Sequence, residues 1–121
     1  MIMNSVKNEC IAICCILLDV MSDVKEVLSL ADSRHYPALQ DKTGLTDEDF
    51  KEARSCSVLS ALVVLKSMHY NKKMLLALTV CDIYSECEAI TLNHRVAFEV
   101  LMNAIEWPIS FSEILTISRS E

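Results

Sequence analysis

Glu9-Cys-Ile-Ala-Ile-Cys-Cys-Ile-Leu-Leu-Asp-Val-Met21 carries an unbroken apolar run from Ile11 to Leu18. Over about Asn4–Met21 it reads as a helix that is apolar nearly all round its middle, which marks a central, buried helix. Met74 to Tyr84 is again almost wholly apolar. A second central helix is expected there.

The composition agrees with a helical chain. There is a single glycine, Gly44, in 121 residues, where usage of ~7% would supply about eight. A phosphate-cradling P-loop or a dinucleotide fingerprint needs at least two glycines at fixed spacing, so both are excluded. Tight Asn-Gly and Asp-Gly hairpins are excluded as well. Pro37 and Pro108 are the only prolines. The expected fold is all-α: one domain over residues 1–121, a bundle of six to seven helices.

Outward from the first run, Ser29-Leu-Ala-Asp32 reads as a cap for a second helix to about Lys42, with Pro37 distorting it or delaying its start. Gly44 closes it. Thr46-Asp-Glu-Asp49 caps a short helix to about Arg54, with acids where the helix dipole favours them. Cys56 to Met68 forms an apolar helix with Val58, Leu62, Leu65 and Met68 on one face. Asn71 is the expected cap of the next helix, after a His69-Tyr70 turn. Thr91-Leu-Asn-His94 opens a helix with Val96, Val100, Leu101 and Ile105 as its core face. Trp107-Pro108 ends that helix, because the residue before proline leaves the helical region. Ser110 or Ser112 caps a last helix through Ile117.

The net charge is −6, with no basic stripe, which excludes a nucleic-acid partner. The run Ile11–Leu18 is far short of the ~20 residues of a membrane span. Lys7 is offset by Glu9, and no small-residue cleavage site follows, so no signal peptide is read. Cys10, Cys14, Cys15 and Cys81 sit in or beside apolar runs. They read as reduced, buried thiols of a cytoplasmic protein. Cys10 and Cys14 share a face, but no second pair completes a tetrahedral metal site.

The chain repeats itself at an offset of 62, giving halves of about 5–54 and 56–119. Lys25–Leu39 lies over Cys87–Leu101, with identities at Glu26/Glu88, Leu30/Leu92 and Leu39/Leu101. Leu28/Ile90, Ser29/Thr91 and Tyr36/Phe98 are chemically alike.

On this repeat, Ala61–Met68, Lys72–Leu78 and Glu88–His94 resemble the TerB-like family of tellurite-resistance proteins. Asp41-Lys-Thr-Gly-Leu-Thr-Asp-Glu-Asp-Phe50 and Ile105-Glu-Trp-Pro-Ile-Ser-Phe-Ser-Glu113 are similar to the stretches that follow each repeat there. The resemblance implies an all-helical fold with two pseudo-equivalent halves and a link to chemical stress. It also implies metal binding or a place in a membrane-associated complex, and no established catalytic reaction. The family's Asp-Gly pair is replaced here by Lys25-Glu26 and Cys87-Glu88. The aliphatic that follows is kept, as Leu28 and Ile90.

Carboxylates remain nearby. Asp19 and Asp23 are spaced i, i+4 at the end of one central helix, and Asp82 and Glu86 at the end of the other. With Glu26 and Glu88 they form a candidate Ca²⁺ or Mg²⁺ site, if the halves bring them to one end of the bundle. The alternative is solvated loop acids, with Asp82 acting as a local cap and no cofactor bound. A Cys87–His94 nucleophile pair has no orienting third group, and no enzyme is read. The expected function is a non-catalytic binding or scaffold module for a protein partner, linked to stress response. Tyr36, Trp107 and Phe111 are candidate exposed aromatics for a partner surface, with core packing the alternative and the favoured reading for Phe98 and Trp107; homodimerisation is one use of any leftover apolar patch.

Overall fold

The computed structural model describes residues 2–22, 33–85, 92–107 and 109–120, with side chains from residue 6 onward. Among the described residues seven helices follow in order: α1 (Ile2–Ser22), α2 (Tyr36–Thr43), α3 (Asp47–Ala53), α4 (Val58–Lys66), α5 (Tyr70–Ser85), α6 (Leu92–Ala104) and α7 (Phe111–Ser120). There are no strands among the described residues. The fold is an all-α bundle. No helix among the described residues is long and apolar enough to cross a membrane.

The two apolar runs form the centre. Ile13, Cys14, Ile16 and Leu17 of α1 are fully buried, as are Leu76, Ala77, Val80 and Cys81 of α5. The other helices cover them: α3 and α4 pack on α1, and α2 and α7 pack on α5. At the offset of 62 in the sequence, α1 overlies α5, α2 overlies α6 and α3 overlies α7.

The helix ends follow local chemistry. Pro37 sits in the first turn of α2 and delays its start to Tyr36; the expected cap at Ser29 lies outside the described residues. Gly44 ends α2 in the left-handed region at φ 75°, its N–H donating to the Gln40 carbonyl at 2.7 Å. Helix α4 starts at Ser57, whose Oγ accepts from the Ser60 N–H at 3.1 Å. The start of α5 lies two residues ahead of the expected Asn71: the His69 carbonyl and ring accept from the first turn, including the Asn71 N–H at 3.2 Å. Ser110 caps α7, accepting from the Glu113 N–H at 3.1 Å. Helix α6 ends with Glu106 at φ 58° and the Trp107 N–H bonded to the Met102 carbonyl. A Schellman motif stands there with a glutamate in the position glycine usually takes.

The expected core face of α6 is overturned in part. Ile105, just past the helix end, is fully buried and Leu101 packs against the core as expected, but Val96 and Val100 are 52% and 63% exposed, and Phe98 and Met102 take the buried face. Helix α6 has two apolar stripes, and periodicity cannot rank them. Phe111 is fully buried rather than exposed, edge-on to Phe98 at 5.4 Å. Tyr36 and Trp107 are half-buried against the core.

Two ion pairs fasten α1 to its neighbours. Lys72 on α5 meets Glu9 at 2.8 Å. Lys7 pairs with Asp49 on α3, a carboxylate that is 1% exposed. Asp49 also accepts from the Thr46 N–H at 2.8 Å and closes a capping box. Burial pushes the Asp49 carboxyl up, but Lys7 and Thr46 together outweigh it and hold it below the usual carboxylate range. The ionised form is therefore favoured by folding. Its contribution is complete above the ordinary carboxylate range and is lost as pH falls through the depressed value. Asp49→Ala is expected to cost about 1–2 kcal/mol at pH 7. In urea melts run at pH 7 and at about pH 2.5, the gap to the parent chain narrows on the acid side. A gap that widens there contradicts the assignment.

Candidate functional site

The six carboxylates of the candidate cation site divide sharply. Asp23, Glu26, Glu86 and Glu88 lie outside the described residues. Asp19 is exposed on the last turns of α1. Asp82 is turned to a structural task on α5. Its Oδ2 accepts from the Ser33 hydroxyl at 2.7 Å and from the His35 N–H at 2.9 Å. The His35 Nδ1 lies 2.9 Å from Oδ2 and 3.1 Å from Oδ1. Ser33 in turn accepts from the Tyr36 N–H at 3.2 Å. Asp82 thus anchors the entry to α2, a long-range cap rather than a local one.

Ser33, His35 and Asp82 are the ingredients of a hydrolytic triad in the wrong order. The carboxylate stands between the other two and takes the serine proton bond itself. A nucleophilic serine needs the histidine beside it. Among the described residues, no group of three or more His, Cys, Asp and Glu side chains is placed to hold a metal ion. His94 stacks on Tyr84 at 4.9 Å, and Cys87 lies outside the described residues.

An apolar concavity lies elsewhere. A groove of about 230 Å³ runs between α1, α4 and α6. Ile16 and Val20 form its floor on α1, Val58 and Leu62 one wall on α4, and Val100 and Leu101 the other on α6. Asp19 is the only charged residue in the lining among the described residues. The volume is below the roughly 300–1,000 Å³ of small-molecule sites, and the described lining lacks the convergent polar groups that orient such ligands.

The two helices that wall the groove also carry exposed aliphatics. Leu59 and Val63 stand 76% and 70% exposed on the outer face of α4. Leu92, Val96 and Val100 form an exposed stripe along α6. Helix α4 carries no charge before Lys66. A helix apolar on every face is normally covered on every face. The buried side of α4 is Ala61 and Leu65, facing α1. Its C-terminal carbonyl at Lys66 accepts from the buried Lys73 ammonium at 2.8 Å. A smaller hollow of about 130 Å³ lies on its other flank, between Ile11, Ala12, Ser60 and Val64.

The five described cysteines are free thiols, four of them buried and Cys56 exposed. Cys10 donates to the Thr43 carbonyl at 3.2 Å. Burial pushes all four buried thiols up, Cys14 to about 12. No family model, curated protein or solved structure matches the chain.

Two outcomes follow from this geometry. Asp82→Ala strands the Ser33 hydroxyl and the His35 N–H at the entry to α2, and the expected loss is about 2–4 kcal/mol in chemical denaturation. A loss under about 0.5 kcal/mol would place this residue among ordinary surface positions. Iodoacetamide labelling of the native chain at neutral pH, mapped by peptide mass, should modify Cys56 at least about tenfold faster than Cys10, Cys14, Cys15 or Cys81, since only an accessible thiolate reacts. Equal rates would contradict the burial.

Proposed function

We propose that the protein is a non-catalytic helical binding module whose working surface is the apolar face of α4 and α6. One observation carries the reading: five aliphatic side chains, Leu59, Val63, Leu92, Val96 and Val100, stand exposed on the two helices that wall an apolar groove. Scattered surface aliphatics need no explanation, but a concentration of them on both walls of an apolar groove favours an interaction site. The inverted order of Ser33, Asp82 and His35 argues against hydrolysis as the activity. The resemblance to TerB-like chains points the same way, because no catalytic reaction is established for that family, and it favours a role in stress response. Buried free thiols support a reducing, cytoplasmic setting.

The reading separates binding surface from core. In the triple variant Leu59→Glu, Val63→Glu and Val100→Glu, each substitution should change stability by no more than about 0.5 kcal/mol, as at ordinary surface sites. At submicromolar concentration the parent chain should enhance bis-ANS fluorescence, and the variant should not. Equal enhancement by both chains, or unfolding of the variant, overturns the proposal.

A further inference from the structure

We propose that Cys15 and Cys56 form a redox pair, in which an oxidised Cys56 is captured by Cys15 as a disulfide joining α1 to the α3–α4 turn. The proposal stands apart from the binding-surface reading and does not depend on what the groove binds.

The two residues differ in access but are already in contact. Cys15 is 5% exposed on α1, whereas Cys56 is exposed in the turn after α3. The Cys15 thiol donates to the carbonyl oxygen of Cys56 itself at 3.6 Å. A disulfide needs Cα atoms about 4.4–6.8 Å apart. The Cys15 sulfur, touching its partner's own peptide group, has made its share of that approach.

The orientation of Cys56 keeps the sulfurs apart. Its Sγ is turned back toward α3 and donates to the Glu52 carbonyl at 3.6 Å. A thiol is a weak donor, and exposed side chains change rotamer within nanoseconds. There is room for the rotation. The hollow of about 130 Å³ beside α4 is lined by Cys56 together with Ile11 and Ala12 of α1. Cys15 stands one helical turn beyond Ile11, on the same face. The backbone at Cys56 is a turn, its N–H donating to the Ala53 carbonyl at 3.0 Å, one residue ahead of the Ser57 cap of α4. Any remaining approach falls on residues 54–57, between the two helices.

The other described thiols are placed differently. Cys10 donates to the Thr43 carbonyl, Cys81 lies against the Ser85 hydroxyl, and Cys14 is fully enclosed.

The difference in access assigns the roles. The Cys56 thiolate attacks a hydroperoxide: an S–O bond forms, the O–O bond breaks, and the departing oxygen takes a proton. Cys56 is then a sulfenic acid. Burial, with Cys56 and Asp19 adding to it, pushes the Cys15 thiol up, so Cys15 is not the group that meets the oxidant. It is instead held against the oxidised residue. Its sulfur loses a proton and attacks the Cys56 Sγ, and the S–O bond breaks to release water. Two thiols and one hydroperoxide thus give one disulfide, one water and one alcohol, which is a second water when the oxidant is hydrogen peroxide. The thiols lose two electrons and the hydroperoxide gains them. In a reducing setting such a bond is transient and reopens by exchange with a dithiol.

The native full chain at about 10 µM, treated with about 1 mM hydrogen peroxide, blocked with N-ethylmaleimide and digested without reduction, should yield a peptide linking Cys15 to Cys56. Before blocking, the intact mass should fall by about 2 Da and be restored by dithiothreitol. In Cys15→Ser, dimedone should trap the sulfenic acid on Cys56 at least about tenfold more than in the parent, because nothing captures it. Cys56→Ser should leave Cys15 a free thiol under the same treatment. Circular dichroism confirms folding, and Cys15→Ala replaces a Cys15→Ser chain that fails this check. The map of the parent chain decides without either variant. A Cys56 that stays a thiol, that is oxidised without a bond to Cys15, or that is bonded chiefly to Cys87 or to a second copy overturns the proposal. So does equal dimedone trapping in parent and variant.

Discussion

Everything in this bundle answers to the need to hide α1 and α5. Both are apolar around nearly their whole circumference, so neither can lie on the surface with one face in water. A chain of 121 residues has little other material with which to cover two such helices. Five shorter helices do it, each giving one face, and the cover is closest where α3 and α4 meet α1 and where α2 and α7 meet α5. The aromatic cluster of Tyr84, Phe98 and Phe111 closes the α5–α6–α7 side.

Short covering helices have many ends, and the ends need partners. The polar groups inside the structure are concentrated on that task. Asp82 receives the start of α2, Asp49 closes the start of α3 while holding Lys7, and Lys73 receives the end of α4. Each is a charged side chain taken largely out of water and repaid with hydrogen bonds at a helix terminus. The shortage of glycine acts in the same direction. Gly44 ends α2 without strain, but at the end of α6 the left-handed position falls to Glu106. That residue holds a conformation an L-residue enters at a cost of about 1–2 kcal/mol.

Much of this architecture is legible in the sequence, for definite reasons. The two apolar runs announce the central helices, and Gly44, Thr46 and Ser110 mark ends through chemistry that is local in the chain. Long-range capping is not local, so Asp82 reads as a loop acid until His35 is placed beside it. The face of α6 was ambiguous for a different reason. Val96 and Val100 match helical spacing as well as Phe98 and Met102 do, and only packing against α5 and α7 chooses between them. The groove was hidden by the same ambiguity, since residues read as core form its rim. Its one visible signal is Val58-Leu-Ser-Ala-Leu-Val-Val64, a helix with an apolar residue on every side and no charge to turn toward water.

The groove follows from how α4 is seated. Helix α2 lies directly on α5, whereas α6 faces α1 across about 230 Å³ of open space. Among the described helices, α4 packs on α1 more extensively than any other. Its Val58 and Leu62 stand in the gap, between α1 and the Val100–Leu101 edge of α6. Helix α4 therefore covers α1 while standing between it and α6, and the apolar side chains of the three helices line an open groove rather than a closed seam.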